Sequence, residues 1–257
     1  MINLRFPGTG GLGTARSRKR LSKDYRRFPS LLINEKILID PSEDIFEFEE
    51  SFMLSGIFKD VKDILITSSS LDHLSICCIE KMAANSPIRV YATEHLRAEI
   101  SSIPNVEFTT IYPFGLIKIE ECSVIPLPAN TRTEIIGEVA LNFLVEYEGK
   151  TFFYALDGAW LHPDAFRVLK EVKLDAVILE CALGAIPYSE DCINHNNLAM
   201  AAAVKDILIS AGIASSSTKF ILSHLPTGKS GSVHDELCDA VKDTPFKIAY
   251  DGYYLGI

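Results

Sequence analysis

Nowhere in its 257 residues does this chain carry an apolar run of helical membrane-spanning length, so a membrane-embedded role is not expected. Basic residues are in the minority. The 25 Lys and Arg stand against 34 Asp and Glu, and the net charge of −9 argues against general affinity for nucleic acid, which needs a basic surface to displace counterions. The six cysteines, Cys77, Cys78, Cys122, Cys181, Cys192 and Cys238, include no C-x-x-C pair, and several lie in apolar segments as reduced core thiols do. A disulfide framework is therefore not expected, and the expected compartment is the cytoplasm. Arg5 and Pro7 interrupt the opening segment, which does not read as a cleavable signal peptide.

What is present reads as one domain over residues 1–257, with no linker or low-complexity stretch. Residues 4–13 form a strand running into a glycine loop. The segment that follows is basic and polar rather than helical, so the dinucleotide-binding fingerprint is not met. That basic segment, Arg16 to Arg27, is either a solvated loop or an edge that faces phosphate. Residues 30–34 and 36–40 read as a hairpin about an Asn-Glu turn, with Asp40 at its end. An acidic amphipathic helix is expected over 43–59 and a buried strand over 63–67. A helix should run from Asp72 to Ala84, and a strand over 88–92 precedes a helix over 94–100. Strands are expected at 106–110, 116–119, 122–127, 138–146, 150–156, 176–180, 219–223 and 247–250. Helices are expected at 166–170, 196–212 and 233–241. Strands first, then strands alternating with helices in each half, imply an α/β protein (α+β by some schemes). Its two sheets should pack together with helices outside, a four-layer αββα sandwich.

Several short motifs occur in order: Leu38-Ile-Asp40, Thr67 to His73, Leu127-Pro-Ala-Asn-Thr131, Leu156-Asp157-Gly158, His195-Asn196, Ser223-His224 and Ala249-Tyr-Asp-Gly252. Together they resemble the metallo-β-lactamase superfamily over nearly the whole chain. The nearest likeness is to its cyclic phosphodiesterases and tRNA 3′-processing endonucleases. That superfamily carries His-x-His-x-Asp-His after a strand ending in Thr. Here the two leading histidines are Ser68 and Ser70, and the histidine that follows Leu-Pro-x-Asn is Thr131. The resemblance thus implies that one of two metal sites has lost all three imidazoles, leaving Ser68, Ser70 and Thr131 to line its place. The other site keeps counterparts of its ligands in Asp72, His73 and His224, with the bridging aspartate at Asp157. Such a set suits one divalent transition metal, zinc, manganese or iron, whereas serine and threonine hydroxyls ligate these ions poorly.

The resemblance further implies a proton-shuttling or phosphate-contacting role for His195, and it places Tyr25, Arg26 and Arg27 near the rim. Arg26 or Arg27 would hold a phosphate there by a bidentate contact. Asp40 and Asp251, at strand ends, would orient loops or ligands. Asp72 is the second candidate catalytic group. His95, His162 and His234 have no motif context and are expected at the surface. The phosphonate-pathway relatives carry N-terminal cysteines for a structural zinc, and residues 13–27 have none, so their substrate is not transferred.

Plainer readings stand beside these. Asp72 suits a helix N-terminus, Ser68 to Ser70 suit a cap, and His195 and His224 suit a helix start and a strand end. Two functions of different class follow. The first is a metal-dependent hydrolase of phosphodiester or related ester bonds, acting on a small phosphoester or nucleotide-like substrate. The second is a catalytically degenerate relative that binds a nucleotide, a phosphate ligand or a protein partner. A homodimer is expected by family analogy alone.

Overall fold

The computed structural model describes residues 1–11, 19–227 and 233–257. The end of the glycine loop (residues 12 and 13) and the start of the basic segment (residues 16–18) lie outside the described residues.

Two seven-stranded mixed sheets make up the centre. The first contains β1 (Asn3–Gly8), β2 (Ser30–Ile33), β3 (Ile37–Ile39), β4 (Asp63–Leu65), β5 (Ile88–Ala92) and β6 (Val106–Thr110). The second contains β7 (Ile117–Ile119), β8 (Cys122–Pro128), β9 (Leu141–Tyr147), β10 (Lys150–Ala155), β11 (Ala176–Glu180), β12 (Lys219–Ser223) and β13 (Phe246–Ile248). The final strand, β14 (Tyr254–Gly256), returns to the first sheet and pairs antiparallel with β1, Asn3 opposite Gly256. Phe6, Leu31, Ile39 and Leu65 of the first sheet pack against Phe143, Phe152, Tyr154 and Ile178 of the second, which builds a dry layer between the sheets. On the outer face of the first sheet, α1 (Ile45–Ser51), α2 (Ile76–Ala83) and α3 (Arg97–Ile100) bury Ile45, Phe48, Ile79 and Ile100. On the outer face of the second, α4 (Pro163–Leu169), α5 (Leu198–Ser210) and α6 (His234–Val241) bury Leu169, Val204 and Leu237. The layers are therefore α, β, β, α, as expected.

Strands β3 to β6 run parallel, and so do β10 to β13. Polar residues emerge at their carboxyl ends: Asp40 after β3, Ser68 to His73 after β4, Asp157 after β10, Glu180 closing β11 and His224 after β12. Carboxyl ends of parallel strands are where open α/β sheets collect ligand-binding groups. Asp40, Asp157 and His224 all have left-handed backbones, with φ of 56°, 53° and 49°. Three non-glycine residues in that sparsely populated region share one end of the molecule, the pattern expected of a functional site.

The elements depart from expectation where side chains compete for the backbone. The helix expected from Asp72 starts at Ile76, because the Ser75 hydroxyl accepts from the Cys78 N–H and caps it there. Asp72 and His73 are thereby held in a turn, with the His73 N–H donating to the Ser70 carbonyl at 2.9 Å. The helix expected over 43–59 stops at Ser51, before left-handed Met53 and Gly56. Strand β9 begins at Leu141 rather than residue 138, because the Glu138 carboxylate is taken by Ser69 and Thr93. Among the described residues no helix is long and apolar enough to cross a membrane.

Gly8 is where β1 breaks register against β2. A Cβ there would lie 1.8 Å from the Phe28 carbonyl oxygen and 2.9 Å from that of Arg27. Both obstacles are backbone and have no rotamer to yield. Gly8→Ala should therefore destabilise the protein by about 3 kcal/mol or more, read as a shift of the urea midpoint. A midpoint within about 0.5 kcal/mol of wild type would contradict this packing.

Candidate active site

Asp40 organises the first half of the site. One carboxylate oxygen accepts from the Thr67 N–H (2.9 Å) and hydroxyl (2.8 Å), and the other lies 2.8 Å from His73 Nδ1. A carboxylate on Nδ1 fixes that nitrogen as the protonated one and leaves Nε2 bare. Glu180 does the same for the second half. Its Oε1 accepts from the Asn196 N–H, while Oε2 lies 3.1 Å from His195 Nδ1 and 3.3 Å from His224 Nδ1. His224 thus also directs Nε2 inward, with its Nδ1 against a carboxylate.

The inward atoms converge. His73 Nε2 and His224 Nε2 are 3.2 Å apart, Asp72 Oδ2 is 3.2 Å from His224 Nε2, and it is 3.8 Å from His73 Nε2. All three residues are buried. Ligand atoms on a tetrahedron of zinc-like radius stand roughly 3.3 Å apart, so the spacing fits a transition metal. Charge supports the same conclusion. Burial pushes the His73 pKa down, but Asp72 and Asp40 overcome this and raise it to about 9. His224 is likewise raised, by Asp72 and Glu180 against burial, and Asp72 is lowered because His73 and His224 outweigh its burial. The carboxylates thus call for positive charge on both imidazoles. Two N–H protons cannot share a 3.2 Å gap between two nitrogens, whereas one cation supplies that charge without the clash. The donor set therefore fits a metal, held by Asp72, His73 and His224.

Asp157, the expected bridging ligand, is not within the compact group of Asp72, His73 and His224. Its buried carboxylate is raised in pKa by burial despite nearby His73 and His224, and its Oδ1 lies 3.7 Å from His195 Nδ1. Asp72, His73 and His224 supply three convergent donors, and catalytic sites commonly combine three protein ligands with an open position. His195 stacks on His224, with centroids 5.8 Å apart, and keeps 32% of its side chain exposed. Burial lowers its pKa, but Glu180 more than compensates and the net shift is upward. Glu180 itself is pushed up by burial, then brought down to about 2 by His195 and His224. Glu180, His195 and His224 form a second group of convergent donors.

Glu180 was missed in the sequence. It stands in Val177-Ile-Leu-Glu180, an acid ending an otherwise apolar strand, and that was the available signal.

The vacated positions are only partly inward. Ser68 is buried and accepts from the Ser70 N–H at 3.3 Å, Ser70 is half-buried, and the half-buried Thr131 hydroxyl donates to the Arg132 carbonyl at 3.4 Å. Arg27 corrects the phosphate expectation. It is fully buried, pairs with Asp251 (3.0 Å) and Glu47 (2.9 Å), and donates to the Ser51 hydroxyl. Arg26 is buried, with its guanidinium on the Pro226 carbonyl. Asp251 accepts from Thr9 and from Arg27, so it braces the start of the chain. Burial dominates these bonds and raises its pKa to about 7. Tyr25 donates to Glu47. His234, expected at the surface, is buried beneath Tyr250 and contacts Cys238 Sγ at 3.3 Å. The glycine loop does reach the site: a Cβ on Gly11 would lie 3.0 Å from His224 Cε1.

An αββα sandwich with histidine and carboxylate donors at the carboxyl ends of its parallel strands is the arrangement of metallo-β-lactamase-fold proteins. The chain has that fold. It superposes on the metallo-β-lactamase fold protein YhfI from Bacillus subtilis with TM-score 0.75 and 14% identity, over 99% of this chain and 98% of that one. Zn(2+)-bound PqqB from Methylobacterium extorquens gives TM-score 0.75 and 14% identity over 99% and 100%. Human tRNase Z, short form, gives 0.71 and 16% over 99% of each. No protein-family model matches the sequence, and no curated protein does.

Proposed function

We propose that this protein is a metal-dependent hydrolase of phosphodiester or related ester bonds that works with one divalent transition metal. The observation that carries the reading is the 3.2 Å approach of two inward imidazole nitrogens beside the Asp72 carboxylate. The Zn(2+)-bound and tRNase neighbours of the same fold support it. When bound, the cation supplies Lewis acidity toward a phosphoryl or acyl oxygen. Asp40 and Glu180 hold His73 and His224 in the tautomers that ligate. His195, with Nδ1 fixed on Glu180, keeps its second nitrogen for a proton delivered to the leaving group. Asp157 lies beside His195 and favours its charged form.

Turnover of bis(p-nitrophenyl) phosphate tests this. Release of nitrophenolate should need added zinc, manganese or iron and should stop on chelation. No turnover with any of these metals, together with tight binding of a nucleotide or phosphate, would instead support a binding protein. Buried Ser68 and half-buried Ser70, whose hydroxyls suit phosphate or sugar oxygens, are the observation favouring that second reading.

A further inference from the structure

Trp160 is the only tryptophan in the chain, and it is not in the core: 41% of its surface is exposed. An exposed aromatic on a loose loop would call for no explanation. This one is fixed. Its backbone is left-handed, with φ of 60°, an unfavourable conformation for a bulky side chain. Asn196, the residue after His195, clamps it: Oδ1 accepts from the Trp160 N–H at 2.8 Å, and Nδ2 donates to the Gly158 carbonyl at 3.0 Å. Asn130 clamps the same loop from the other side. Its carbonyl accepts from the Ala159 N–H at 3.1 Å, and its Nδ2 donates to the Ala159 carbonyl at 3.1 Å. The loop begins at Asp157, whose carboxylate faces His195. Trp160 is thus held by the same short segments that carry Asp157 and His195.

The charge of the site explains why a platform is needed. Asp40, Asp72, Asp157 and Glu180 put four buried carboxylates around three histidines. An anionic substrate gains little from them beyond what a cation provides, and Arg27 is consumed by Asp251 and Glu47. Affinity must come from groups away from the reacting centre, and an indole supplies it to any flat ring.

We propose that Trp160 is a stacking platform for the nucleobase, or an equivalent flat aromatic group, of a phosphoester bound at the candidate active site. This rests on the hydrolase reading for the placement of the phosphate, and it narrows the substrate to aromatic phosphoesters of the nucleotide class.

The single tryptophan reports on itself. Manganese-loaded full-length protein is titrated with AMP and with ribose 5-phosphate, following intrinsic emission and calorimetry. AMP should change the emission and bind at least about tenfold more tightly than ribose 5-phosphate, the low end of what one base–aromatic stack contributes. Trp160→Leu should bring that preference near one, and Trp160→Phe should keep most of it. The proposal is overturned if AMP does not bind, if it binds without changing the emission, or if Trp160→Leu keeps the preference. Turnover is scored separately. A Trp160-dependent AMP preference without hydrolysis in any metal keeps the platform and removes the hydrolase reading. Metal-dependent hydrolysis without aromatic preference does the reverse.

Discussion

His224→Ala is expected to lose bound metal and, with it, the part of the protein's stability that chelators can remove. His224 supplies the nitrogen that approaches both His73 and Asp72 within 3.2 Å, so no two-ligand remnant of comparable affinity survives its loss. With free metal about a thousandfold above its dissociation constant, binding contributes about 4 kcal/mol. For a chain of this size that corresponds to roughly 8–16 °C in Tm. Chelation should lower the wild-type Tm by that amount and leave the variant unmoved. The pH dependence has a definite sign. In the metal-free protein the His73 pKa lies near 9, above its ordinary 6.5, because Asp72 and Asp40 outweigh burial. Its stabilisation of the metal-free fold is therefore complete below pH 6.5 and disappears as pH rises through 9. Metal must displace that proton, so apparent affinity should rise about tenfold per pH unit over the same window. Thermal melts of metal-free protein should therefore fall with pH over this window while those of metal-loaded protein stay nearly flat, and competition with a chromophoric chelator should show the rising affinity that makes up the difference. A metal-free wild-type protein, indifferent to chelator at every pH, would remove the metal centre.

The sandwich was legible because its strands are apolar and separated by clear turn residues. The Asn34–Glu35 turn, both residues left-handed and closed by the Lys36 N–H on the Ile33 carbonyl, is written locally. Asp72, His73 and His224 were legible as short motifs in a fixed order. Asp157 sits at the expected strand end, but its 3.7 Å approach to His195 was not legible, because motif order carries no distance. Glu180 was hidden for the opposite reason. Its partners, His195 and His224, lie 15 and 44 residues away and meet it only through the parallel pairing of β11 with β12 and the turn into α5. Arg27 read as a rim cation because its two acidic partners, Glu47 and Asp251, lie at opposite ends of the chain. Charge in a sequence becomes a functional group only once the partners that would neutralise it are known.

His195→Gln should separate metal binding from proton transfer. The variant keeps Asp72, His73 and His224, so its metal content should match wild type. Its defect should depend on the leaving group. Nitrophenolate departs without needing a proton, so bis(p-nitrophenyl) phosphate turnover should fall by less than about tenfold. A dinucleoside monophosphate expels an alkoxide and should slow by a factor on the order of 10²–10⁴, the range general acids supply. The pH profile should identify Glu180 as the group that tunes this acid. Burial alone would lower the His195 pKa, but the Glu180 hydrogen bond raises it above 6.5. The protonated form is needed, so wild-type turnover of the dinucleotide should decline as pH rises through that raised value. Glu180→Gln removes the charge, keeps the shape, and should draw the decline to lower pH, toward or below 6.5. It also leaves His224 Nδ1 facing an amide, so metal affinity should weaken about 10- to 100-fold. Saturating metal compensates for that loss and leaves the displaced pH limb as the signature of the His195–Glu180 pair. An unshifted limb in Glu180→Gln, or equal losses on both esters in His195→Gln, would assign the proton to another group.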